Sequence, residues 1–474
     1  MEHDYDVVVI GSGVAGLAAA LRTTELGGSA LVAEAEEVVG GSSRLAGGSI
    51  MGAGTRRQRE HGIEDSGEAL FQYYMALNHW EPEPGPVRRL AEGSGGMVDW
   101  LESLGVQFEA GVYPAGEEPV PRKHLATDGG QGVVDVLARH CREAGVDIAL
   151  RRRVDRLLVE DGAVVGVAVG DDEVRSRAVI VATGGFGANE ALVRENIPSL
   201  APAEDWFWYV GAPSALGDAF ALGAQVDAQV MGRDKGLLML TPNFGNLLEG
   251  GYLPGWLVVV NGEGRRFYNE VMSYSVTDPI LRAQPGPVYA VFDDAALHAA
   301  DPASAEQVKR NTIPQRSFFF NKWVEPFLEE MIAARKVQSA ETIPDLAKQV
   351  GLPADILEAT IDRYNADVAA GEDRLYQKPS RFLRPVLTPP FHATELRLAH
   401  LAVTGTGLRI DADGRVLDKG SSPVPRLFAA GECTGGIIGD VYVGSGNSLT
   451  NGLVFGRVTA EVASADRSSL AEVS

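Results

Sequence analysis

The chain has 474 residues, roughly three domain-sized units' worth, so a single small binding module is excluded. Its 45% hydrophobic and 22% charged residues are those of a globular protein with a sizeable core, and 64 acidic against 42 basic residues leave a net charge of −22 that argues against nucleic acid as a partner. Cys141 and Cys433 stand far from any C-x-x-C spacing, so no cysteine-built metal site is expected; no apolar run reaches the ~18 residues needed to span a bilayer, and a cytoplasmic protein without a signal segment is the expectation.

The first predicted element is the β-branched run Asp6-Val7-Val8-Val9-Ile10, a strand buried on both faces of a parallel sheet. It ends in Gly11-Ser12-Gly13-Val14-Ala15-Gly16, a G-x-G-x-x-G that opens a helix continuing to Gly27-Gly28. Glycines here allow a tight turn, close backbone approach to a pyrophosphate and close helix-to-strand packing, while free N–H groups at the helix start favour the anion. The next strand, from Ala30 to Glu34, ends in an acid 18 positions after Gly16, placed to accept hydrogen bonds from ribose hydroxyls. A second cluster follows: Gly40, Gly41, Ser42, Ser43, then Ala46, Gly47, Gly48 and Ser49. Its backbone could run along a pyrophosphate and an isoalloxazine, or form only a flexible loop.

From Val154 three short strands are predicted, with a turn at Asp161-Gly162, feeding a further buried strand from Ala178 to Ala182. Ala182-Thr183-Gly184-Gly185 brings bare backbone towards a ligand at the carboxyl edge of the sheet. Between about Asp234 and Ala402 prolines and aromatics thicken, as at Phe318-Phe319-Phe320 and Trp323, and helical periods appear around 324–335 and 355–369. The reading is an inserted α+β capping domain at 235–402, with 1–234 and 403–474 forming one discontinuous domain. The last seventy or so residues return to the pattern of the opening segment. A strand leads into Ala430-Gly431-Glu432, and Gly444-Ser445-Gly446-Asn447-Ser448-Leu449 precedes an apolar helix, whose N-terminus could serve a flavin's pyrimidine edge.

Taken together, these motifs resemble the FAD-dependent fumarate reductase and 3-ketosteroid dehydrogenase superfamily over nearly the whole chain. The resemblance also rests on Leu216-Gly217-Asp218 and on the run from Val260 to Glu270. It implies an α/β fold, a Rossmann-like FAD-binding domain of the glutathione-reductase type carrying the inserted cap. It implies further that Gly11, Gly13, Ala15 and Gly16 hold the pyrophosphate, Glu34 the adenosine ribose, Ser42, Ser43, Gly47 and Gly48 the isoalloxazine side, Glu432 the ribitol, and Ser448 with Leu449 the pyrimidine edge. Val154 and Asp218 are weaker matches. Residues 40–49 contain no histidine of the kind that covalently flavinylated relatives carry, so FAD is expected to be non-covalent.

Fumarate reductases bind a dicarboxylate through arginines and histidines, because charge-assisted bidentate partners suit it. By the resemblance, the proton-donating Arg position is Tyr274, the C-terminal stretch Asp440 to Asn447 has no base, and the histidine position falls on Val403. Tyr442 to Gly446 instead reads Y-x-G-x-G, similar to the ketosteroid dehydrogenases, as does Tyr274. A phenol at Tyr442 and the amide of Gly446 could stabilise an enolate, Tyr274 could take the α-proton, and flavin N5 the hydride. Packed core tyrosines are the alternative for Tyr274 and Tyr442; Tyr113 reads as surface loop rather than relay, His298 as surface, and His124 as structural or as a hydrogen-bond partner of substrate or flavin.

The expected activity is α,β-dehydrogenation, or the reverse ene-reduction, of a cyclic ketone, steroid-like in the ketosteroid pattern, with an external electron partner. Two alternatives stand beside it: an ene-reductase of a small enoate using Arg44, Arg122 or Arg265, and a flavin-binding protein without chemistry of its own.

Overall fold

The computed structural model describes residues 3–245, 253–299 and 323–471. Phe318-Phe319-Phe320 lies outside the described residues. The chain divides into two compact units: Met1–Pro198, Gly211–Leu237 and Ala402–Ser474 form the first, and Ser199–Val210 with Leu238–Leu401 the second.

At the centre of the first unit is β1 (Tyr5–Ile10), whose last four residues are buried. It pairs in parallel with β2 (Ala30–Ala33) on one side and β8 (Asp172–Val181) on the other. The strand Pro423–Ala429 continues the parallel sheet beyond β8, and β5 (Asp147–Ala149) continues it beyond β2. Continuous apolar runs, Val-Val-Val-Ile in β1 and Ala-Val-Ile-Val at the end of β8, are what a sheet covered on both faces requires. Helix α1 (Val14–Glu25) is buried along nearly all of its first two turns and packs on the C-terminal helix Asn447–Ala471. The approach is close: a Cβ on Gly456 would stand 2.3 Å from the Ala15 carbonyl oxygen.

The meander after Val154 forms as β6 (Arg156–Glu160) and β7 (Ala163–Val169), antiparallel across a turn in which Asp161 and Gly162 both take positive φ, 49° and 78°. The third meander strand and the buried strand expected after it are one element. β8 pairs antiparallel with β7 through its polar first half and parallel with β1 through its apolar second half. A separate two-stranded sheet joins β3 (Ser49–Met51) to β4 (Lys123–Leu125), with Met51 opposite Lys123. Both cysteines are buried in the first unit, the Cys141 thiol donating to the Leu17 carbonyl and Cys433 to those of Val181 and Ala430; burial pushes each up to about 12.

The second unit is built on a sheet in the order Gly236–Pro242, Phe391–Thr404, Val288–Asp293 and Val258–Val260, the last three antiparallel in turn, with helices including Tyr274–Arg282 and Ala354–Ala370. Residues 199–210, read from the sequence as part of the first domain, belong to this unit, because Trp208–Tyr209 pairs with His400 and Leu401. Its interior holds a closed ionic network: Arg266 is bidentate to Glu270 at 2.9 and 2.8 Å and also bonds Asp373, while Lys378 reaches Glu270 at 3.1 Å and the Leu257 carbonyl at 2.7 Å.

Candidate active site and cofactor cradle

The turn from β1 into α1 is fixed by contacts only glycine permits. Gly11 has φ +104°, and a Cβ there would meet the Ala182 carbonyl oxygen at 2.4 Å; one on Gly16 would stand 1.9 Å from the Gly11 oxygen. Gly13 precedes the first turn of α1, whose Val14 N–H donates to Ser43 Oγ at 3.2 Å, so Ser43 sits at the helix start where an anion is expected. Ala15 lies in that same buried first turn. Gly40, at φ +113°, donates its N–H to Ser12 Oγ, and Gly41 follows at φ +46° with open space beside it. Gly47 is half-buried, and Gly48 packs so tightly on Gly129 that a Cβ would approach within 2.5 Å. Ser42 Oγ accepts from the Ala212 N–H at 2.9 Å.

Glu34 stands immediately past β2, buried. One carboxylate oxygen accepts from the Ser12 N–H and hydroxyl at 2.9 and 2.5 Å, the other from the Glu36 N–H at 2.8 Å. A carboxylate has about four lone-pair sites, so room for one further donor is left. Asp218, at the start of a short helix, accepts from one Arg153 nitrogen, Nη1, at both carboxylate oxygens, 2.6 and 2.7 Å, with burial raising its carboxyl against the pull of the guanidinium. Arg153 was invisible as a site candidate in sequence; its neighbour Val154 is buried.

On the other side of β1, Ala182 N–H closes on the Ile10 carbonyl, Thr183 Oγ1 is buried without a hydrogen bond among the described residues, and Gly184 takes φ +73° with open space beside it. Glu432 Oε1 accepts from both the N–H and the hydroxyl of Thr404 at 2.8 Å, and burial raises the carboxyl. Asn451, one turn into the C-terminal helix, gives its amide N–H to the Gly431 carbonyl and leaves Oδ1 buried without a partner among the described residues. Nothing in the sequence singled it out. Orphaned polar groups beside glycines at positive φ are what a ligand with many polar oxygens would complete, so the residues present fit FAD.

The segment 436–449 carries the candidate chemistry. Tyr442 is buried, and its hydroxyl accepts the Ser448 N–H at 3.0 Å. That N–H, expected at the pyrimidine edge, is therefore spent on the phenol; Leu449 beside it is buried. Gly446, at φ +97°, lies against the backbone of Ser49–Met51, where a Cβ would come within 2.6 to 2.9 Å, and its own N–H has no acceptor among the described residues. Helix Gly67–Leu77 and the residue after it brace this segment from inside. The Asn78 side-chain oxygen accepts the Val441 N–H at 2.8 Å, and the Tyr74 hydroxyl links Asn447 and the Ile437 carbonyl at 3.0 and 3.2 Å. Tyr74 and Asn78 lie some 370 residues away in the chain and gave no local signal.

The remaining candidates divide. Tyr274 opens the helix Tyr274–Arg282 of the second unit, half-buried. His124 is a structural histidine: one ring nitrogen meets Thr55 Oγ1 at 2.9 Å, the other the Arg122 carbonyl at 3.0 Å, and burial pushes it down to about 4. The Tyr113 hydroxyl donates to Glu109 at 2.9 Å. His298 is exposed between Glu325 and Asp294. Arg122 is buried and bidentate to Asp65 at 2.8 Å, Arg44 pairs with Glu36 at 3.4 Å, and Arg265 is exposed beside Glu263. Among the described residues there is no group of three or more potential metal ligands, and no helix is long and apolar enough to cross a membrane.

Residues 6–449 match the FAD binding domain family, and the chain belongs to that family. FAD is its cofactor, and its class is that of the FAD-dependent oxidoreductases acting on CH–CH groups. It is 30% identical to an NADH:fumarate oxidoreductase of Klebsiella pneumoniae over 97% of this chain and 47% of the relative, so it spans about half of that protein's length. It is likewise 30% identical to a fumarate reductase (cytochrome) of Shewanella frigidimarina, covering 97% of this chain and 77% of the relative. Among solved structures, a 3-ketosteroid-delta4-(5alpha)-dehydrogenase from Rhodococcus jostii RHA1 superposes with a TM-score of 0.77 at 27% identity, covering 98% of both chains.

Proposed function

We propose that the protein catalyses α,β-dehydrogenation, or the reverse ene-reduction, of a cyclic ketone, a 3-ketosteroid or similar polycyclic ketone. The observation that carries this reading is the pairing of a phenol and a spare amide at one helix start: Tyr442 takes a hydrogen bond from Ser448 N–H, and Gly446 N–H has no acceptor among the described residues. Tyr442 is the proposed donor to the substrate carbonyl, its own oxygen accepting the Ser448 N–H. Phenol and amide together suit a carbonyl oxygen that gains negative charge as its α-proton leaves, and the positive end of the C-terminal helix favours the resulting enolate. Burial of Tyr442 keeps water from competing for that oxygen.

FAD, when bound, supplies the hydride acceptor for dehydrogenation or the donor for reduction. Gly11, Gly13, Ala15, Gly16 and Ser43 would hold its pyrophosphate, Glu34 and Glu432 its ribose and ribitol hydroxyls, and Thr183 and Asn451 offer further polar contacts. Tyr274 is the proposed proton acceptor, a role it takes from its position four residues after Glu270. Arg44, Arg122 and Arg265 all stand beside carboxylates of the chain itself, which weighs against a dicarboxylate substrate even though its relatives include fumarate reductases.

Anaerobic addition of a 3-ketosteroid or other cyclic ketone to the holoprotein should bleach the flavin. Tyr442→Phe should slow bleaching on the order of 10²-fold or more with flavin content retained. Persistent yellow across a panel of cyclic ketones, with fumarate turned over from reduced viologen, would replace this reading with the enoate one.

A further inference from the structure

The first unit contains one buried lysine that the proposed chemistry does not use. Lys123, in β4, is 1% exposed, yet its ammonium makes no hydrogen bond or ion pair with any described residue. Among the described residues the other deeply buried lysine, Lys378 in the second unit, bonds a carbonyl at 2.7 Å and a carboxylate at 3.1 Å. An ammonium has three protons to place and no acceptor of its own, and here, among the described residues, only the Tyr113 ring face answers it, so its N–H groups are left for another acceptor.

The surroundings of Lys123 are built but incomplete. Its Nζ stands 5.9 Å from the centre of the Tyr113 ring. Two carboxylates lie in electrostatic reach, each occupied elsewhere: Glu118 accepts the Ala115 and Gly116 N–H groups at 2.6 and 2.7 Å, and Glu109 accepts the Tyr113 hydroxyl at 2.9 Å. Burial lowers the amine to about 8 against the pull of these acids.

The cluster adjoins the carbonyl-binding segment. Lys123 is the cross-strand partner of Met51, on whose backbone Gly446 rests. Ala115, next to the Glu118 turn, accepts the Ser445 N–H at 2.8 Å and packs against Gly444.

We propose that Lys123 binds a second, uncharged oxygen of the substrate, a carbonyl or hydroxyl remote from the ketone held by Tyr442 and Gly446. This rests on the ring-ketone reading above and narrows it to doubly oxygenated polycyclic ketones. An uncharged oxygen suits the site better than a carboxylate, because two acids already face one ammonium and a third negative charge would be buried with them.

The test compares androst-4-ene-3,17-dione with its 17-deoxy counterpart androst-4-en-3-one on the holoenzyme, reading kcat/KM for each and, separately, affinity from perturbation of the flavin spectrum. The dione should be preferred by about tenfold or more, and the ratio should collapse towards one in Lys123→Met while Lys123→Arg retains part of it. Should Lys123→Met fail to fold, the wild-type ratio and Lys123→Arg still decide.

Tighter binding of the dione without turnover keeps the subsite and removes the proposed reaction. Equal affinity for both steroids overturns the subsite, whether or not either is turned over, and binding of neither overturns both proposals. A keto acid preferred over the dione overturns the uncharged assignment. An unchanged ratio with a shifted flavin potential in Lys123→Met overturns the subsite by assigning the amine to the cofactor.

Discussion

The two units treat their buried polar groups differently. In the second, Arg266, Glu270, Asp373 and Lys378 close on one another, each charge answered within hydrogen-bond distance. In the first, Thr183 Oγ1, Asn451 Oδ1, the Gly446 N–H and the Lys123 ammonium are left without hydrogen-bond partners among the described residues. A self-satisfied network holds a fold together, whereas unspent donors and acceptors in a well-packed unit mark where something else is bound. Among the described residues of the second unit the exceptions are the ring nitrogens His392 Nε2 and His400 Nδ1, whose imidazoles burial favours in the neutral form.

The largest effect that sharpens this contrast is expected in the first unit. Gly16→Ala places a Cβ against the Gly11 carbonyl oxygen, backbone on backbone, so the purified variant should carry no flavin, read as the ratio of flavin to protein absorbance. A variant that keeps full flavin content would break the assignment of the cradle.

Glu270→Gln should do the opposite. It leaves Arg266 and Lys378 facing one fewer negative charge and should cost about 3–5 kcal/mol of stability while flavin stoichiometry is unchanged. Denaturant unfolding followed separately by flavin and by tryptophan fluorescence distinguishes the two outcomes.

The smallest effect is a pH dependence. His124 and His400 are held at about 4, below the ordinary 6.5, by burial. Between those values the unfolded chain binds protons that the folded one does not, so stability rises with pH across this window and falls on acidification, by roughly 3 kcal/mol for each histidine. His400→Gln should flatten the stability profile between pH 6.5 and 4, whereas an unchanged slope would mean that His400 titrates normally.

What the sequence made legible follows the range of the forces involved. The β1–α1 turn was readable because each of its glycines answers a contact with a near neighbour or a single adjacent strand, and residue type alone reports it. The Asp161-Gly162 turn was readable for a different local reason: both residues take positive φ, which Asp tolerates and Gly adopts freely.

The junction of meander and core was misread as two strands because β8 changes partners midway, and pairing partners are not written in local pattern. The allegiance of 199–210 was hidden likewise, since Trp208 meets His400 across nearly two hundred residues. At the site, Tyr442 and Gly446 stood out by their glycine-rich setting. The destination of the Ser448 N–H, the bracing by Tyr74 and Asn78, and the Arg153–Asp218 pair depend on tertiary placement and left no trace in spacing.

The thiols of Cys141 and Cys433 are sealed in the core and held protonated far above neutral pH, so alkylating reagents should pass them by. The unmodified chain is thus already a silent background for maleimide chemistry. A single cysteine introduced at an exposed position, such as Leu387 or Trp80, would carry a fluorophore or spin label stoichiometrically, without first stripping the native sulfurs.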